Sequence, residues 1–455
     1  MPVVQFHVRE ILALAIPAML AIASEPLLSL ADTAMIGHLG VEPLAARAIA
    51  SSLIGGIYWV FGFLVFGTTT LVGHHYGARD DEACGEICLH ALCIAALGGL
   101  AIAGAGLWLA PQLYALMGAE PVVLSSGAEY FRIRIAGTPF TFLFYVTVGF
   151  LRGIQNTRTP MLIAFFVNGL NLLLDYGLIY GAFGLPALGL RGAAIAALLS
   201  QITGGLICLR LLFVSPYSDR YGLNRWKWSR RRFLPLFVIG RDLAVRTGAL
   251  RFSLIFAAGT VARMGAGPLS SHEIALQLWL LCSDTIDGLA VAGQALVAKY
   301  LGAGRAERAY QMGKVLSVCG CAAGLIFALG YWLGERPLIA LFTNSPQVAA
   351  LLSAGGIFLF LAFSQPINGI VFVLDGLLIG AHDTRFLMRA MLIGALGIFV
   401  PLAWISLHWE LGLVGVWSGL TLLMLWRLAT NLFRFLSGRW VSALLAPQNK
   451  TVGWD

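Results

Sequence analysis

The sequence predicts an all-α polytopic membrane protein with twelve transmembrane helices in two six-helix lobes, related by a pseudo-twofold axis along the membrane normal. Three observations lead there. The first is composition: the chain has 455 residues, of which 59% are hydrophobic and 11% charged, and its mean hydropathy is +0.83. Soluble domains are about 25% charged, and no soluble core needs this much apolar surface. The second is length: at ~20 residues per span plus short loops, the chain holds roughly a dozen helices. The third is an internal repeat, described below.

In order, the apolar windows are 10–38, 46–73, 86–109, 124–151, 159–182, 192–214, 243–263, 270–300, 311–333, 347–380, 386–407 and 412–436. The first is too long for the apolar core of a signal peptide, because it continues through Asp32 into a full span. A basic-apolar stretch, Trp228 to Gly240, precedes the seventh window and reads as an amphipathic helix on the membrane surface. One set of loops holds Arg79, Arg152, Arg158, Arg220, Arg225, Lys227, Arg230 to Arg232, Arg305, Arg308 and Arg385. The opposite set holds only Arg47, Arg191, Arg263 and Arg336. The basic set is expected on the cytoplasmic side, which makes both termini cytoplasmic in a multi-pass inner (plasma) membrane protein.

The repeat divides the chain. Gly37-His38-Leu39-Gly40-Val41-Glu42-Pro43-Leu44 matches Ala262-Arg263-Met264-Gly265-Ala266-Gly267-Pro268-Leu269 at a shift of 225, and Gly77-Ala78 matches Gly302-Ala303 at the same shift. Leu151 to Arg158 matches Leu378 to Arg385 at 227, and Leu188 to Gly192 matches Leu411 to Gly415 at 223. The expected domains are therefore residues 1–215, a cytoplasmic basic linker at 216–240, and 241–455 with the tail. Two halves of six spans insert the same way up, the parallel-repeat plan of many secondary transporters, whose sites lie near the bilayer midplane.

Several function classes drop out. Net charge is +8, but the Arg230-Arg231-Arg232 run sits in a loop between spans, so no nucleic-acid partner is expected. The seven cysteines lie in or beside apolar runs and imply no disulfide framework. His74 and His75 are adjacent, point to different sides of a helix and make a poor metal site. No phosphate-binding loop, nucleophile elbow or zinc-spaced cluster occurs. An enzyme is not expected, nor is a cofactor.

The residues that could carry chemistry are the polar ones that lipid should reject. A charge at the centre of a membrane helix costs roughly 2.5–3.5 kcal/mol on insertion scales, and intramembrane acids are functional by default. The first span carries Glu25, Pro26 and Asp32; the two acids are seven residues apart and share a face. Proline removes a backbone donor and bends a helix. In the fifth span Asn168, Asn171 and Asp175 share a face, and a carboxylate flanked by amides can hold a proton, a sodium ion or an ammonium group. Neither Asp32 nor Asp175 has an acid at its repeat position, Ala257 and Leu402, so both look like additions to the scaffold. Asp287, Gln294 and Asp375 form a second-lobe polar set, read either as a second cation site or as structural contacts. Arg241 and Arg246 read as snorkelling side chains, whereas Arg251 lies deeper, where an acid could pair with it.

The pattern Glu25-Pro26-Leu27-Leu28-Ser29-Leu30-Ala31-Asp32-Thr33-Ala34 with Gly37-His38-Leu39-Gly40 resembles the first helix of the MATE multidrug and toxic compound extrusion transporters, DinF subfamily. Leu151-Arg152-Gly153, Thr157-Arg158-Thr159-Pro160, Ala292-Gly293-Gln294-Ala295-Leu296, and Asp375-Gly376 with Gly380 resemble further motifs of that subfamily, and the resemblance covers the whole chain. It implies two six-helix lobes in a V and a secondary active antiporter. That antiporter would export amphipathic, cationic organic compounds in exchange for H⁺ or Na⁺. It also implies Asp32 as the coupling acid, with Asn171 and Asp175 as partners, Pro26 as the bend, and Asp375 as an acid of the tenth helix. Na⁺ would sit at Asp32 and Asp175, with no resident metal. Two departures stand out. Glu25 occupies a place where the subfamily usually has aspartate. Ala257 and Ala258 stand where another subfamily has a glutamate of a second-lobe sodium site. The alternative is a lipid-intermediate flippase of the same superfamily fold, which would want a strongly cationic cavity. Expected partners are small organic cations and the lipid bilayer, and the chain is expected to be a monomer.

Overall fold

A computed structural model describes residues 2–214, 216–225, 227–353 and 356–441. Among these there are helices and turns and no strand. The helices are α1 (Pro2–Gly37), α2 (Val41–Val60), α3 (Phe63–Gly77), α4 (Asp81–Leu116), α5 (Pro121–Ile135), α6 (Thr138–Gly153), α7 (Arg158–Tyr180), α8 (Leu190–Phe213), α9 (Pro216–Tyr221) and α10 (Arg230–Ala262). After them come α11 (Ala266–Gly302), α12 (Ala306–Leu333), α13 (Glu335–Phe342), α14 (Pro346–Ser353), α15 (Ile357–Gly380), α16 (Thr384–Leu392), α17 (Val400–His408) and α18 (Gly412–Leu436). A π-helical stretch, Ile393–Phe399, joins α16 to α17.

Among the described residues ten helical stretches are long and apolar enough to cross a membrane, two of them joining α2 with α3 and α16 with α17, or eleven when α5 and α6, bent by 42° at their junction, count as one span. The remaining expected window, 243–263, lies in α10, whose apolar half carries Arg246 and Arg251. Two expectations change. The segment from Trp228 to Gly240 is not a separate surface helix; from Arg230 it runs without a break into α10, and Pro235 falls within the second turn. The window 347–380 is divided, with α14 ending at Ser353 and α15 starting at Ile357.

The chain forms two compact units, Leu20–Gly240, and Met1–Met19 with Arg241–Asp455. This division differs from 1–215, 216–240 and 241–455 at two places. The start of α1 belongs with the second unit because Glu10 accepts from Lys299 Nζ at 2.9 Å and from the Tyr300 hydroxyl at 2.7 Å, and because Gly288 leaves room for Met19. The linker belongs with the first unit because it is strapped to α4. Lys227 Nζ lies 2.5 Å from Glu82, Arg220 Nε 3.1 Å from Asp81 and Arg232 Nη1 2.8 Å from Glu86. The Ser229 amide donates to His90 Nε2 at 3.1 Å. Glu82 holds the Lys227 ammonium above its ordinary pKa by bonding its charged form.

In the first unit the core is apolar and local. Ile36 of α1, Ile54 of α2, Tyr114 of α4, Phe131 and Ile135 of α5 and Ile179 of α7 pack together, and the Tyr114 hydroxyl donates to the Ala46 carbonyl at 2.7 Å. In the second unit α11, α12 and α15 approach through glycines: a Cβ on Gly320 or Gly369 would strike the other's backbone.

The repeat is written into the turns as well as the sequence. Left-handed backbone recurs at Gly40 and Gly265, Arg79 and Gly304, Gln155 and His382, and Gly189 and Gly412, pairs separated by the shifts of the sequence repeat. Non-glycine residues rarely adopt positive φ, so this coincidence reflects shared local structure. Helix contacts repeat too. A Cβ on Gly149 would lie 2.7 Å from the Val65 carbonyl oxygen, and one on Gly376 would strike the carbonyl oxygen of Ala290, which stands 225 residues after Val65.

Candidate functional site

In the unit Leu20–Gly240, α1 is held against its neighbours by polar contacts along one face. Asn168 Nδ2 donates to Ser24 Oγ at 2.9 Å. Arg47 Nη2, from α2, donates to the Ser29 carbonyl oxygen at 3.0 Å and to Ser29 Oγ at 3.3 Å. The Tyr180 hydroxyl donates to the Met35 carbonyl at 2.9 Å. Between these ties sits Asp32, with its Oδ2 3.8 Å from Arg47 Nη2. On α7, Asn171 Nδ2 donates to Asp175 Oδ2 at 3.0 Å, and both residues are buried.

Asp32 is a charged neighbour of Asp175. Two ionised carboxylates have only acceptors to offer, so a direct hydrogen bond between them would need a proton on one of them. Asp32 Oδ1 is buried and meets no donor among the described residues. Tyr130 of α5 is 4% exposed and has Arg134, Arg47, Asp32 and Asp175 as its charged neighbours. The site is thus built from α1, α2, α5 and α7.

The structure brings Asp32, Asp175 and Asn171 together and places Asn168 on Ser24. Glu25 lies two turns from Asp32 on an exposed stretch, with Tyr145 as an electrostatic neighbour. Pro26 is also exposed, and α1 stays helical through it. Its ring nitrogen has no hydrogen to give the Ile22 carbonyl. Arg47 and Arg134 were not legible as site residues. Arg47 looks like a loop marker because it stands near a window's edge, yet it is 8% exposed on α2. A basic residue inside an apolar helix needs a partner, and that signal was present for both.

The second unit has its own polar cluster. Arg246 of α10 and Arg427 of α18 both donate through Nη2 to Asp375 Oδ2, and Asn431 Nδ2 donates to Oδ1 at 2.8 Å. Arg427 also lies over the Phe372 ring, 5.6 Å from its centroid. Arg246 therefore does not snorkel: its side chain is 13% exposed and spent on Asp375. Asp287 has Asp284, Arg246, Asp375 and Arg427 as charged neighbours, while Asp284 faces Arg251. Gln294 is buried at a helix–helix contact, where Gly380 meets its backbone. His75 Nδ1 lies 3.3 Å from Asp80, and no group of three or more metal-ligating side chains occurs among the described residues.

Comparison with known proteins places this arrangement. The MatE family model matches residues 17–177 and 250–405. The chain belongs to the MatE family. Members of this family are membrane transporters, not enzymes, and the two matched segments fall in the two halves of the repeat. "Probable multidrug resistance protein NorM" of Thermotoga maritima is 27% identical over 95% of this chain and 93% of its own length. "Protein DETOXIFICATION 44, chloroplastic" of Arabidopsis thaliana is 30% identical over 96% and 84%. "DNA damage-inducible protein F" of Escherichia coli, whose name matches the DinF resemblance, is 27% identical over 90% and 88%. Among solved structures, "Crystal structure of MATE in the straight conformation" superposes with a TM-score of 0.85 at 25% identity, covering 96% of each chain. "Crystal structure of MATE in the bent conformation" does so at 0.86 and 24%, again with 96% of each covered. The chain is therefore a polytopic membrane protein of the multidrug efflux family, with the MatE fold.

Proposed function

We propose that this MatE protein is a proton-coupled antiporter that exports amphipathic organic cations, with Asp32 as the acid for which cargo and proton compete. The observation that carries this reading is the pairing of two neighbouring acids, Asp32 with a buried oxygen that meets no donor among the described residues and Asp175 buried and held by Asn171, since two such carboxyls can bond to each other only when they share a proton. Asn171 orients Asp175 by donating to its Oδ2. Cargo binds the deprotonated pair. A proton arriving from outside neutralises one acid, lets the two carboxyls bond and removes the charge that held the cargo. Loss of that proton to the cytoplasm regenerates the binding form. Each ligand stabilises a different state of one site, and that is sufficient for exchange.

In this reading Pro26 is the weak point of α1, because the unbonded Ile22 carbonyl makes that turn the cheapest to bend. Twelve spans with both termini cytoplasmic in the inner membrane follow from the loop charges. Sodium is the rival coupling ion. Proteoliposomes loaded with ethidium and given either a pH gradient or a sodium gradient decide between them. Export should follow the pH gradient, disappear in Asp32→Asn and weaken in Asp175→Asn. Export driven by sodium alone overturns the proton assignment.

A further inference from the structure

We infer that Arg47 is a tethered counter-cation for Asp32, which closes onto the carboxylate when the site is ionised and empty and is pushed back to Ser29 by whatever cation the site takes. This rests on the reading of Asp32 as the cargo-binding acid. Arg47 is 8% exposed on a largely apolar helix. Its guanidinium stays charged in any protein environment, so it can only change partner.

The geometry shows a partner half engaged. Charge-assisted N–H···O bonds to carboxylates run to about 2.7–2.9 Å, and Arg47 Nη2 stands 3.8 Å from Asp32 Oδ2. The same nitrogen is instead donating to the carbonyl and hydroxyl of Ser29. Both members of the pair hold capacity in reserve: Asp32 Oδ1 and Arg47 Nε are buried with no hydrogen-bond partner among the described residues. Ser29 and Asp32 lie three residues apart on one face of α1. Moving from one to the other needs a side-chain rotation and no movement of either helix.

Two consequences follow. A bare carboxylate in an apolar unit is expensive, and Arg47 spares the site that state between cargo and proton. Arg47 also makes the exchange decisive. Asp32 and Asp175 have Arg47 and Arg134 as charged neighbours, and with both acids ionised these four charges sum to zero. One proton leaves a net positive site that repels a cation. Tyr130 and Asn171 are the neutral groups that complete the surroundings.

The test is ethidium binding to detergent-purified protein, followed by fluorescence, for the unmutated chain, Arg47→Met, Arg47→Gln and Arg47→Lys, each also in an Asp32→Asn background. Removing the internal competitor should tighten ethidium binding about tenfold, equivalent to 1.4 kcal/mol, in both Arg47→Met and Arg47→Gln. Arg47→Lys, which keeps the charge, should stay near the unmutated affinity. The tightening should vanish when Asp32 is Asn. Unchanged or weaker binding in folded Arg47→Gln, or Lys behaving like Met, overturns the proposal. If ethidium binds equally to Asp32→Asn and the unmutated chain, the reading of Asp32 has failed. If Asp32→Asn loses binding while the Arg47 variants do not change it, only the role of Arg47 has.

Discussion

Asp32 in one unit and Asp375 in the other are both acids within apolar helices, and both have arginine nearby. They differ in how much of each carboxylate is already used. Asp375 takes two guanidinium groups on Oδ2 and an amide on Oδ1, so it has little left for a cargo. Asp32 has one arginine at 3.8 Å and one oxygen with no donor, and another acid, Asp175, is among its charged neighbours. The difference teaches that an intramembrane acid is not a cation site by virtue of position alone. Spent acceptors hold helices together, whereas unspent ones can bind something that comes and goes. The Asp375 cluster ties α10, α15 and α18 into one body, and in the proposed reading the Asp32 cluster is the part that changes state.

The largest expected effect comes from attacking the closed cluster. Asp375→Ala leaves two arginines without their acid, and breaking a buried ion pair from one side costs about 3–5 kcal/mol. Its melting temperature in detergent should fall sharply, while Asp32→Asn should melt close to the unmutated protein. Equal melting of Asp375→Ala and the unmutated chain would remove the contrast. A finer cut uses the two asparagines. Asn431→Ala removes a bond to a charged acceptor, worth about 1.5–3 kcal/mol, and should lower the melting temperature while leaving export intact. Asn171→Ala should cost only about 0.5–1.5 kcal/mol, as a bond to a carboxyl that shares a proton, yet slow export.

Much of this was legible because it is local. Most of the residues in the apolar windows fall on helix, though the window 347–380 is divided between two helices, and the sequence repeat reappears in the paired left-handed turns at Gly40 and Gly265 and at Gln155 and His382. The acids and amides of the first half were legible because lipid makes each conspicuous. What was not legible is pairing. Arg47 reads as an orientation marker and Arg246 as a snorkelling chain, and Arg134 and Arg427 draw no reading at all, since nothing in their spacing names the helix that faces them. Arg427 stands in the last window and its partner Asp375 in the tenth, more than fifty residues earlier. The allegiance of residues 8–19 was hidden for the same reason, as it depends on Glu10 meeting Lys299 and Tyr300.

The smallest expected effect is Pro26→Ala. The residue is exposed and α1 is already helical through it, so yield and melting should be nearly unchanged. Ethidium export from loaded proteoliposomes should slow, because the added N–H closes the Ile22 carbonyl and stiffens the turn. An unchanged rate would make the proline merely tolerated.

Proton release on cargo binding tests the central claim most directly. Ethidium is added to detergent-solubilised protein in weak buffer and the released protons are counted with a pH indicator dye. The unmutated protein should release protons on binding, Asp375→Asn should do the same wherever it remains folded, and Asp32→Asn should release none. Release from Asp32→Asn equal to that of the unmutated chain would contradict the account and move the coupling acid elsewhere, to Glu25, Asp287 or Asp375.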